Sequence, residues 1–210
     1  GDDIGTGADS NQALESAGGT GLGSGILTIR CISVTGAVGG YAGVGVAIGA
    51  VTLVSNVKAY VEGDIVKADS VSIKAETNYP GVVAATLAIS GALVGVSGSI
   101  GSSAFSGSTF AGVVGDAEIG MSNEGTIGGI TVQAVSVSNA TALASAFSGG
   151  GVAVNGAIAL AVDLCEVESF IGQNVKIKTT GTTSVLSTVN ADADAFIVGV
   201  AVGAVSVGLS

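Results

Sequence analysis

Two carboxylates one residue apart, Asp192 and Asp194 in the stretch "DAD", are the first residues whose type and spacing could do chemistry. On a strand, residues two apart point the same way, so the pair could begin a cation site. Calcium, however, takes about six to eight oxygens. The next carboxylates upstream, Glu166 and Glu168, are far off in sequence. A solvated turn is the expectation, with no metal site. "GDDIGTG" at Gly1 has the look of a calcium-binding nonapeptide but occurs once, and reads as a turn.

The densest mixed cluster is Lys67, Asp69, Lys74 and Glu76. A polysaccharide-processing enzyme needs carboxylates converging in a cleft. At these spacings, with Lys74 and Glu76 on one strand face, cross-strand ion pairs on a wet surface are expected instead, worth about 0–1 kcal/mol. Cys31 and Cys165 are too few for a disulfide framework and are expected as buried free thiols, a single bridge remaining the alternative. The chain has no His, which removes the commonest general base and activator of Ser or Cys nucleophiles. No catalytic, cofactor-binding or metal residue is therefore assigned, and an enzyme is not expected. The Thr-rich "KTTGTTS" (Lys178 to Ser184) could suggest an ice-binding face, but it is not repeated.

What positions these side chains is an unusual composition. Of 210 residues 36 are Gly, 48% are hydrophobic, 10% charged and 4% aromatic, with one Pro. So many apolar residues argue against disorder, and the lack of a three-residue Gly period excludes collagen. A core without Trp must be built from Val, Ile, Ala and Leu, which suits thin regular layers. The net charge of −10 argues against nucleic acid and anionic lipid surfaces. The acidic opening does not read as a signal peptide, and a first residue other than Met is expected of a piece of a longer chain.

Repetition organises the rest. "LTIRC" from Leu27, "VSIKA" from Val71, "ITVQA" from Ile130 and "TSVLS" from Thr183 can be stacked, at spacings of 44, 59 and 53 residues. A second element precedes the last three, and aligning Gly63, Gly115 and Gly172 places Val61, Val113 and Phe170 at one apolar position. Long uncharged tracts separate the charged segments. Alternation in "VSIKA" and "VKIK", β-branching and frequent Gly favour strands, because each Gly costs about 1 kcal/mol in a helix. Turns are expected at Gly63-Asp64, Gly115-Asp116, Ser122 to Gly125, Gly128-Gly129 and Thr180-Gly181. The chain reads as all-β, a β-solenoid of irregular repeats over 26–210, with 1–25 as a lead-in coil. Each repeat is expected to hold two coils of about 20 to 30 residues. The charged half should face water and the uncharged half build the sheet interior.

Val82 to Ile100 is long enough for a membrane-spanning helix, which needs about 20 apolar residues. Gly and Ser interrupt it, large apolar side chains are sparse, and basic anchors and aromatic belts are missing. Membrane insertion is therefore disfavoured. Self-association through coil ends or the uncharged face is expected, because Val-rich edges template further strands.

The pattern Val57-x-Ala59-x-Val61-x-Gly63-Asp64 followed by "VSIKA", together with "GGGVAVNGAIAL" (Gly149 to Leu160), resembles the repeats of leukotoxin- and haemagglutinin-type filamentous adhesins, very large bacterial exoproteins. Ile4, Gly5, Thr6, Asn11 and Leu14 match their "IGT…N-x-L" segment. Glu168 and Ser169 depart from it, where other copies carry Ala59-Tyr60 and Ala111-Gly112. The resemblance implies a right-handed parallel β-helix, an extracellular or cell-surface location, and adhesion to host cells or matrix. A self-associating or membrane-active leukotoxin-like fragment is the alternative, and a polysaccharide-processing β-helix enzyme stands behind it.

Overall fold

The computed structural model describes residues 28–121 and 126–210. The lead-in segment 1–25 and the turn at 122–125 lie outside the described residues. Every described element is a strand: β1 (Thr28–Val38), β2 (Ala42–Glu62), β3 (Val71–Gly91), β4 (Val94–Val114), β5 (Glu118–Ile119), β6 (Ile130–Ile171), β7 (Lys176–Ile177) and β8 (Thr183–Leu209). All pairings are parallel. The chain runs out along one long strand, turns, returns along a second, and crosses a short third side before repeating. Outgoing strands β1, β3, the first half of β6 and β8 stack in that order. Returning strands β2, β4 and the second half of β6 stack likewise, and β5 pairs with β7 on the short side. The result is a nearly closed parallel sheet, compatible with a β-solenoid.

Register settles the winding. Val71, Ile130 and Thr183 lie in one row, so "VSIKA", "ITVQA" and "TSVLS" stack on one another. "LTIRC" does not join them, for Thr28 lies beside Gly81, ten residues past Val71. Successive rows are 52 to 59 residues apart, which makes each repeat one winding rather than two. The expected short coils assumed that Gly interrupts strands. Here β2, β3 and β4 run for 21 residues each, and Gly such as Gly43, Gly45, Gly49, Gly95 and Gly101 sits within them facing inward instead of breaking them.

A one-residue slip corrects the second alignment. Val61 and Val113 share a row with Ile171, not Phe170. Because side chains alternate, the slip moves Phe170 to the outer face. There its ring meets Phe110 edge-on at 4.8 Å. A bulge between Tyr79 and Val82 also reverses the inward phase of β3, at Pro80, which has no N–H to give to a ladder. Gly63 and Gly115, with φ of 118° and 73°, end β2 and β4 at the expected turns.

The interior differs along the strands. At the charged end it is an ordinary apolar core: Ile73, Ile130, Val132, Val113, Ile119 and Ile127 are buried together. Toward the Gly39-Tyr41 turn it narrows to Ala144, Ala146 and Ala157 with Gly and Ser between. A Cβ on Gly45 would stand 2.6 Å from the Ile89 carbonyl oxygen, and one on Gly95 2.7 Å from that of Gly149. Small side chains dominate where backbones face each other so closely, with Asn155 the largest buried among them.

Large apolar side chains at this narrow end consequently point out. Val44, Val46 and Ile48 alternate with buried Gly45, Ala47 and Gly49. The expectation that the uncharged tracts build the interior is thus overturned. They supply the small inner residues and the large outer ones by turns.

Candidate functional site

Among the described residues Cys165, Asp163, Ser136 and Ser138 form one gathering of reactive side chains. Asp163 and Cys165 are two apart on the returning half of β6 and so face the same way, toward Ser136 and Ser138 on the outgoing half. The Cys165 thiol donates to Asp163 Oδ1 at 3.1 Å. Its sulfur lies 2.9 Å from Ser138 Oγ and accepts from Ser136 Oγ at 3.7 Å. Asp163 Oδ2 is buried without a partner. Burial pushes the thiol above its ordinary value, with the Ser138 hydrogen bond as the leading opposing influence. A thiol held protonated at neutral pH is a poor nucleophile and metal ligand. Beside it opens a groove of about 530 Å³, lined by Asn56, Ser106, Ser108, Asp163 and Glu166 among others. Its Asn56 Oδ1 accepts from Ser108 Oγ at 2.7 Å.

Cys31 and Cys165 are both free and half-buried. Cys31 sits in the β1 row with Ala84, while Cys165 is on the opposite sheet in the row of Gly107, so no bridge forms. Asp192 and Asp194 do share an outer face, beside Asn139 and Thr141 of β6, but lie within β8 rather than in a turn. Among the described residues no three His, Cys, Asp or Glu side chains gather as a metal site would require.

Lys74 pairs with Glu76 at 2.6 Å along its own strand, not across strands. Its neighbours in the sequence cluster, Lys67 and Asp69, lie on the short third side between β2 and β3. On that third side the windings are tied by polar bonds: Lys176 to Glu118 at 2.6 Å, Asn174 Nδ2 to Asp116 at 2.9 Å, and the Glu118 N–H to Asp64 at 2.8 Å. Glu118 raises the Lys176 pKa above its ordinary value by holding the ammonium. These are exposed pairs that fix register and water-facing polarity, and they do not converge on a cleft.

The sequence reading missed two features. The Asp163/Cys165 spacing was legible as a shared face, but its serine partners are more than 24 residues away in the chain. The outer apolar surface was signalled by Gly or Ala at every second position of "GVGVAIG" (Gly43 to Gly49) and was passed over because apolar residues are normally read as interior.

Comparison with protein-family models, with curated proteins and with solved structures returned no match.

Proposed function

We propose that the chain is a right-handed β-solenoid segment of a secreted or surface-displayed bacterial filamentous exoprotein, acting as a rigid spacer and attachment surface. The observation that carries this reading is the coil-on-coil parallel register of whole windings. Each winding gives its backbone donors and acceptors to the next, so length is added by repetition without a new core. β8, with 27 residues, offers a long row for a further winding at one end, and β1 with β2 does so at the other. The leukotoxin- and haemagglutinin-type resemblance of "VSIKA" and its copies adds the exported, adhesive context. Exposed ion pairs on the third side suit a surface bathed in water.

Electron microscopy with fibre diffraction tests the spacer. Rods should show a repeat of about 4.8 Å along their axis and a width near 70 Å, the span of a 21-residue strand at ~3.3 Å per residue. Flow cytometry of the labelled chain on host cells and on matrix-coated beads tests attachment. Globular particles with no such repeat would defeat the first half of the reading, and binding no better than an acidic control protein the second.

A further inference from the structure

We propose that the narrow end of the molecule is a lipid-embedded belt whose partner is the acyl-chain region of a zwitterionic bilayer. This goes beyond the filament reading and does not depend on adhesion. The belt covers both outer faces. On the outgoing sheet it runs through Ile32 and Val34, Leu87 and Ile89, Leu143 and Phe147, and Phe196 to Val202. On the returning sheet the rows Val44–Val96–Val154 and Ile48–Ile100–Ile158 continue it. Ile100, in a strand paired on both sides, is still 41% exposed, and Ile48 and Ile158 of the same row, at the open edges, are 64% and 60% exposed. The turns between the sheets carry Tyr41 and Leu93 and no charge.

At this end small and polar side chains face in while large apolar ones face out. Buried at the same level are Ser90, Ser97, Ser99, Ser148 and Asn155, polar groups placed inside while Val and Ile stand outside. Proteins that meet lipid arrange residues this way, and water-facing ones do the opposite. On the outgoing sheet the belt has a defined edge. One row, Arg30–Val83–Thr141–Asp194, bears the first outward charges on the outgoing sheet. Between Arg30 and the turn lie about eight residues, or ~26 Å at ~3.3 Å each, which matches the ~25 Å apolar band of membrane-spanning β-proteins. On the returning sheet Lys58 and Glu166 stand further still from the turn.

Backbone groups, the main obstacle to placing strands in lipid, are paired from winding to winding within the sheets, and four N–H groups beside the turns are paired as well. The N–H of Gly39 donates to Gly91, that of Ala92 to Gly149, that of Val94 to Tyr41 and that of Val152 to Leu93, at 2.9–3.1 Å. The two open edges require a further winding or another copy end to end. A second copy laid on a face would cover only one of the two sheets, whereas the belt wraps both and the turn. The chain's net charge of −10 favours neutral over anionic lipid.

The test floats the full chain with phosphatidylcholine vesicles. Because the chain has no Trp, Tyr41→Trp at the turn and Tyr60→Trp beyond the belt each give a single reporter. Tyr41→Trp should blue-shift with vesicles and be quenched by brominated acyl chains, Tyr60→Trp should not, and Ile100→Lys or Ile158→Lys should lower the bound fraction at least tenfold. If a Lys variant loses its strand spectrum, the two Trp reporters decide alone. A chain that stays in the aqueous fraction, equal quenching of both reporters, or a Tyr41→Trp already shielded in lipid-free dimers would overturn the proposal, the last in favour of a second copy.

Discussion

Adding one methyl group at Gly95 should destabilise this protein, while adding the same methyl three residues later should not. Both glycines lie in β4, a strand paired on both sides, and they face opposite ways. A Cβ at Gly95 would stand 2.7 Å from the Gly149 carbonyl oxygen and 3.3 Å from Ser90 Oγ. That is about 0.7 Å inside ordinary contact. The obstacle is backbone, already bonded to the Ala92 N–H at 3.1 Å, so it cannot swing aside. Forcing the sheets apart costs about 1–3 kcal/mol. Replacing Gly by Ala returns about 0.4–1 kcal/mol by restricting the unfolded chain. At Gly98 a Cβ meets nothing within 4 Å, so only that gain remains. Gly95→Ala should therefore fall about 1–3 kcal/mol below Gly98→Ala, and its Tm should sit roughly 3–10 °C lower for a domain of this size. Urea unfolding followed by far-UV circular dichroism, with unchanged m-values, measures the difference. Equal stability of the two variants, or the reverse order, would refute the claim that the facing sheets leave room only for hydrogen at this position.

Three further outcomes are expected. Ile130→Ala, in the buried core of the charged end, should cost about 2–5 kcal/mol, whereas Ile48→Ala on the outer face should stay within roughly 0.5 kcal/mol in lipid-free solution, both read from urea midpoints. Thr77 and Thr109 hydroxyls meet at 2.6 Å in a buried pair, so Thr109→Val should cost about 1–3 kcal/mol by orphaning Thr77, and Thr77→Val on top of it should recover most of that loss. Cys165 is raised from its ordinary 9.0, so the unfolded chain ionises first; its contribution to stability is intact below about pH 8.5 and lost as the pH climbs toward the folded value. Midpoints measured between pH ~7 and ~10 should therefore fall more for the wild type than for Cys165→Ser, and parallel curves would count against burial as the cause.

Strand character was legible in the sequence because alternation and β-branching act locally, and the rows of Val71, Ile130 and Thr183 because the motif repeats, whereas the parallel arrangement was implied by the family resemblance. "LTIRC" was placed wrongly because a five-residue alternating motif fits any row with the same phase, and only the ladder from Thr28 to Gly81 selects one. Phe170 was put inside for a related reason: Gly172 was matched to Gly115, and a slip of one residue exchanges the faces. The Cys165 gathering was half legible, since Asp163 lies two residues away, but Ser136 and Ser138 come from the opposite sheet.

Composition and period thus dictated by themselves that the chain forms repeating, charge-segregated strands, since those properties depend on each residue's own backbone preference and solvation. Which face is inside could not be written in the same way. An alternating Gly-Val tract offers two equivalent faces until a second sheet approaches. The separation of the two sheets then admits Gly45, Gly95 and Ser97 and refuses Val44 and Ile48, a choice made by backbone distance across the winding rather than by hydrophobicity along it.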